Sequence, residues 1–89
     1  NLGSVLQALG DLAGAKACYE RALRIDEAVY GREHPDVARD VNNLGGALQA
    51  LGDLAGARAA FERALRILER TLPPEHPYIR TVRKNLQNL

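Results

Sequence analysis

Residues 1–42 return as residues 43–84, with 24 of 42 positions identical. Asn1-Leu2-Gly3 recurs as Asn43-Leu44-Gly45, and Leu9-Gly10-Asp11-Leu12-Ala13-Gly14-Ala15 as Leu51-Gly52-Asp53-Leu54-Ala55-Gly56-Ala57. Tyr19-Glu20-Arg21-Ala22-Leu23-Arg24-Ile25 recurs as Phe61-Glu62-Arg63-Ala64-Leu65-Arg66-Ile67, and Glu33-His34-Pro35 as Glu75-His76-Pro77. A third copy opens at Asn85-Leu86. A period of this size marks a solenoid, in which each unit buries its apolar face only by stacking on the next. It predicts a single array over residues 1–89, with units 1–42 and 43–84 and the start of a third at 85–89. The chain begins without Met and inside a unit, which reads as a piece of a longer array.

Within a unit the apolar spacing is helical. In the best-covered unit, His34-Pro35 opens a helix, because Pro at the first helical position forfeits only an N–H that has no partner there. Asp36 adds a carboxylate at the positive end of the helix dipole. Val37, Val41, Leu44, Leu48 and Leu51 then recur at spacings of three and four, one face of a helix. Gly52 is placed to end it in the left-handed conformation, and Asp53 to cap the next. The second helix carries a stripe of Leu54, Ala57, Phe61, Ala64, Leu65 and Leu68, and stops at Leu72-Pro73-Pro74. Applied throughout, this predicts an all-α chain of about five helices, at 1–9, 12–30, 36–51, 54–71 and from about 77 to the end. Two-residue turns make the helices of a unit antiparallel. The expected core comprises Leu48, Leu51, Leu54, Ala57, Phe61, Ala64 and Leu65.

This pattern resembles the tetratricopeptide repeat, whose signature places Leu-Gly early in the first helix, Gly at the turn, and Ala, an aromatic and Ala along the second. Leu44-Gly45, Leu48, Gly52-Asp53, Ala57, Phe61 and Ala64 fill those places, as do Leu2-Gly3, Leu6, Gly10-Asp11, Ala15, Tyr19 and Ala22. The usual unit is about 34 residues; the extra length here lies in the second helix and in the segment Tyr30 to Ala38. That segment, with Val41-Asn42-Asn43-Leu44 after it, looks like the long repeats of kinesin light chain. Similar arrays occur in bacterial signalling proteins, often behind a nucleotide-binding switch domain. Glu27 and Glu69 stand where the proline closing a short repeat would be, so the second helix should run on past them. The resemblance implies a right-handed superhelix that binds peptides or partner helices on a concave wall of first helices, and that is not an enzyme.

The residues agree with a binding module. Catalysis requires a nucleophile, a base and an orienting group converging on one point. One Ser, one Cys, two Thr and two His are spread over different helices. His34 and His76 hold the same place in successive units, which fits helix caps beside Pro35 and Pro77 better than the three or four convergent ligands of a zinc site. Neither a cofactor nor a metal is expected. Gly45-Gly46 sits mid-helix: close packing accounts for Gly45, and Gly46 would widen the groove.

The concave-wall candidates lie off the buried stripe: Arg39, Asn42 and Gln49 in the middle unit, Lys84 and Asn88 in the last helix, with Ser4 and Gln7 at the start. Asn42 is open to two readings, a hydrogen bond to the backbone of a bound peptide, as the resemblance implies, or a structural bond to a neighbouring helix. The structural reading is favoured for Asn1, Asn43 and Asn85.

Net charge is +1, which gives no field for nucleic acid, and no apolar run approaches the length of a membrane span. The lone Cys18 excludes an intrachain disulfide and fits a reducing, cytoplasmic setting. A peptide or protein partner is therefore the expected ligand. A ligand-free structural or designed consensus array is the alternative, and an RNA-binding helical repeat a third reading. Self-association is expected through the terminal helices, one face being Val82, Leu86 and Leu89.

Overall fold

The computed structural model describes Leu2–Leu89, and side chains from Gly3 onward. Asn1 lies outside the described residues. Five helices follow one another: α1 (Leu2–Ala8), α2 (Leu12–Tyr30), α3 (Pro35–Ala50), α4 (Leu54–Thr71) and α5 (Pro77–Gln87), with no strand among the described residues. The chain is an all-α solenoid of antiparallel helix pairs. Each helix packs on the next in sequence, and bonds across the zigzag define two layers. Asn85 Nδ2 donates to Asn42 Oδ1 at 3.1 Å, tying α5 to α3 in the layer of first helices. Arg63 of α4 meets Glu27 of α2 at 2.9 Å in the layer of second helices, and Arg70 reaches Glu33 at 2.7 Å. The absence of the closing proline therefore has a use, since Glu27 occupies its place and clasps the next unit.

The ends of the helices are made by the same devices in both units. Asp11 and Asp53 accept from the backbone N–H of Gly14 and Gly56, both at 2.9 Å, which satisfies one orphan donor of α2 and of α4. Gly10 and Gly52 take φ of 86° and 88°, the left-handed conformation a side chain would penalise. His34 and His76 cap α3 and α5: each Nδ1 accepts from the N–H two residues on, Asp36 at 3.0 Å and Tyr78 at 3.1 Å. Both histidines are thus occupied as helix caps.

The main core joins α3, α4 and α5 through Val37, Ala38, Val41, Ala57, Phe61, Ala64, Ile67, Leu68, Ile79 and Val82. A smaller cluster of Ala15, Tyr19 and Ala47 joins α2 to the first-helix layer. Phe61 lies against Gly45 so closely that a Cβ built there would stand 2.7 Å from its ring, and Tyr19 meets Gly3 in the same way. Gly45 is therefore a packing glycine, whereas nothing lies within 4 Å of a Cβ at Gly46.

Four expected core positions need correction. Leu51 is 45% exposed and Leu54 53% exposed, because they flank the Gly52-Asp53 turn at the hairpin tip, beyond the reach of a neighbouring helix. Leu48 and Leu65 are only partly buried, packed at the edge of the core. Val82, expected on an open apolar end face, is instead fully buried, with Leu86 and Leu89 packed beside the same core. Periodicity located the stripe on each helix but not which of two neighbours it would meet.

Phe61→Ala should cost about 3–5 kcal/mol, since the cavity sits between two helices pinned at Gly45 and cannot collapse. Leu54→Ala should cost no more than about 0.5 kcal/mol, the usual range for a surface site. Thermal melts followed by circular dichroism distinguish the two, and equal shifts would contradict the packing described here.

Candidate functional site

Polar side chains gather where α2, α3 and α5 meet, and Arg39 is their hub. Its guanidinium lies 3.6 Å from Asp26 of α2, and 4.0 and 3.8 Å from Asp36 and Asp40 of its own helix. Asp40 is 5% exposed, and its Oδ2 is buried with no hydrogen-bond donor. Burial, then a hydrogen bond to Asp26 and its charge, pushes the Asp40 carboxyl up to about 7, against the opposing pull of Arg39. The Asp40 carboxyl thus holds its proton well above the usual carboxylate range, at the α2–α3 contact. Burial also raises the Tyr78 phenol above its ordinary range, while a hydrogen bond to Asn42 and the charge of Arg39 act the other way.

A cleft of about 360 Å³ opens between α1, α2 and α3, lined by Gly3, Tyr19, Ile25, Asp26, Arg39 and Asp40 among others. Two smaller openings lie elsewhere. One of about 330 Å³ borders Arg32, Glu33, Arg63 and Arg66, and one of about 150 Å³ borders Glu69, Pro74, Ile79 and Arg83. Among the described residues no group of three His, Cys, Asp or Glu side chains is placed to hold a metal ion. Among the described residues, no helix is long and apolar enough to cross a membrane.

Of the residues singled out from the sequence, Arg39 and Asn42 come together at this hub. Asn42 is half-buried and accepts from Asn85, so the structural role exists and also includes Asn85. Gln49 lies on the same face of α3, half-buried and two turns on from Asn42. Lys84 and Asn88 are exposed on and just past α5, away from the carboxyl cluster. Near the start, Tyr19 Oη donates to Gln7 Oε1 at 3.2 Å, and Ser4 lies 3.3 Å from the same hydroxyl. Sequence reasoning missed Asp26, Asp40 and Tyr78. A signal existed, because Asp26 and Asp40 are two of the places where the units differ: the second unit has Leu68 and Val82 there.

A family model for the tetratricopeptide repeat matches residues 1–70 and again 40–86. The chain belongs to the tetratricopeptide repeat family. Its members are in general non-enzymatic helical scaffolds that mediate protein–protein interaction. A search of curated proteins finds no match. In this member the Leu-Gly of the signature is the glycine beneath Phe61 or Tyr19, and its turn glycine is Gly10 or Gly52.

The Asp26–Asp40 pair makes stability pH-dependent in a stated direction. The folded chain keeps a proton on Asp40 up to about pH 7 that the unfolded chain releases near 3.8. Over that window the folded state binds more protons, so this pair's contribution falls as pH rises. Asp40→Asn, which cannot ionise, should gain stability relative to wild type on going from about pH 5 to about pH 8, either side of the raised Asp40 value. Urea denaturation at the two pH values gives the difference, and a constant gap would rule out a raised Asp40 carboxyl.

Proposed function

We propose that the chain is a protein-interaction scaffold. Units 1–42, 43–84 and the start at 85–89 act as one array that holds a peptide or partner protein along the wall of α1, α3 and α5. The supporting observation is the open face of α3. Asn42, Gly46 and Gln49 recur at helical spacing on one side, Gly46 has no neighbour within 4 Å of a Cβ, and the exposed Arg39 stands one turn before it. Bare backbone flanked by two amides and a guanidinium suits an extended peptide, whose main chain offers both donors and acceptors. Lys84 and Asn88 continue the wall on α5. The 42-residue unit and its Asn42-Asn43 pair favour the long, kinesin-light-chain-like variety of the family.

No catalytic step, cofactor, nucleic acid or membrane enters this reading, and a reducing cytoplasmic setting suits the free Cys18. A second reading, self-association through the terminal helices, is favoured by Ile25 at 53%, Val29 and Tyr30, apolar side chains left exposed along the second half of α2. A purely structural array with no ligand is the remaining alternative.

Peptides of about 12 residues selected on the chain from a random library provide the test. Gln49→Ala combined with Lys84→Ala should weaken the selected peptides about tenfold or more while moving the melting temperature little, because both leave the core and the ion pairs of Arg39 in place. Failure to enrich any peptide, or enriched peptides indifferent to both substitutions, would count against the wall. Single-stranded RNA should give no gel shift at micromolar protein.

A further inference from the structure

Guanidiniums gather in a second place, away from the wall of first helices. The opening of about 330 Å³ is bordered by Arg32 and Glu33, from the connection between α2 and α3, and by Arg63, Arg66 and Ile67 of α4. Ile67 is almost completely buried and supplies the apolar part of the lining. Both contributing segments lie in the interior of the chain, with a helix of the array before and after them.

Two ion pairs cross beside this pocket and use only part of its positive charge. Glu27 Oε2 accepts from Arg63 at 2.9 Å and lies 3.6 Å from Nε of Arg32. Glu33 is held by Arg70 at 2.7 Å. Arg66 is exposed and forms no ion pair among the described residues, not even with Glu62 one turn before it. Four guanidiniums thus stand against two carboxylates, which leaves two positive charges. The donors left over are the whole fork of Arg66 and the terminal nitrogens of Arg32, since only its Nε approaches Glu27.

Neither feature is general to the molecule. The opening of about 150 Å³ beside the next connection has one cation and one carboxylate, Arg83 and Glu69, which meet at 3.5 Å. Arg63 and Arg66 repeat Arg21 and Arg24 of the first unit, but Arg32 stands where the second unit has Pro74. One connection therefore adds a guanidinium that the repeat itself does not supply.

A planar guanidinium binds an oxyanion through two parallel N–H bonds, and two unpaired guanidiniums at one cavity repel each other until an anion joins them. A phosphate monoester concentrates up to two negative charges and three acceptor oxygens on one centre, which equals the surplus here. A single carboxylate would leave half of it. We infer that this pocket binds a phosphate monoester dianion, held between Arg66 and Arg32 with Arg63 as a further donor. None of these residues lies on α1, α3 or α5, so the inference stands or falls separately from the peptide wall.

Amide chemical shifts of the isotope-labelled whole chain test it, with ligands titrated to about 20 mM at low salt. Methyl phosphate and the N-acetyl amide of phosphoserine are the probes, and the N-acetyl amides of serine and glutamate are the controls. The phosphate probes should move amides around Arg32 and Arg66 in a saturable way, less so as salt is raised, and neither control should match them. A tighter phosphoserine derivative identifies a phosphorylated side chain as the source, and a tighter methyl phosphate identifies a small phosphate ester. Arg66→Gln, which breaks no ion pair, should weaken binding about fivefold or more, as should Arg32→Gln. Arg24→Gln, at the counterpart of Arg66 outside the pocket, should leave it unchanged. Thermal melts confirm that each variant is folded. Absence of saturable shifts, equal binding of the glutamate derivative, or equal loss in Arg24→Gln overturns the site.

Discussion

The ring of Phe61 lies on the bare backbone of Gly45, and the ring of Tyr19 on Gly3. A Cβ at either glycine would intrude on the ring, so the two helices of a unit approach more closely than side chains normally allow. Gly in mid-helix costs about 1 kcal/mol relative to Ala. Burying an aromatic ring stabilises by about 1.5–3 kcal/mol, which more than offsets that cost. Once this contact sets the spacing of the pair, the small residues around it follow. Ala15, Ala47, Ala57 and Ala64 are all fully buried, where larger side chains would force the helices apart. A chain with few aromatics can build a core in this way because its helices are near enough for alanines to touch.

Stacking of one unit on the next obeys a different rule. The second junction is closed by Leu68, Ile79 and Val82 and is dry. The first instead holds a carboxyl pair, with one guanidinium beside it. A buried carboxyl without full compensation is costly, and burial beside Asp26 raises the Asp40 carboxyl to about 7, which favours its neutral form. One junction therefore holds by apolar burial with the Arg83–Glu69 pair at its rim, while the other gains a dependence on pH and on nearby cations. Ion pairs between the second helices, Glu27 with Arg63 and Glu33 with Arg70, span this weaker junction from the other layer.

Division of labour between the layers follows. Second helices carry the aromatic rings of the core and most of the residues that pair across the junctions, Asp26, Glu27, Arg63 and Glu69 among them. First helices carry Asn42, Gly46 and Gln49, whose spacing leaves a stretch of accessible backbone. On this face Asn42 also bonds Asn85, and Arg39 pairs with Asp26.

Periodicity, turn residues and caps determined by themselves that the chain is helical, where its five helices lie to within about two residues, and that they pair in antiparallel fashion. These are local matters: Pro35, Gly52, Asp53 and His34 act on neighbours two to four residues away, and their chemistry is visible in one dimension. The family was legible for the same reason, and so was the role of the two histidines. What only the tertiary structure decided were contacts between residues far apart in the chain. Helical spacing could not say that Leu51 and Leu54 stand at a tip with nothing to cover them, or that Val82 turns inward on α4. Nor could it say that Asn42 meets Asn85 or that Asp26 meets Asp40, although both aspartates were visible as departures from the repeat. A helix presents several faces, and which of them meets a neighbour depends on how closely the pair is drawn together at Gly45 and Gly3, a distance that no spacing along the chain encodes.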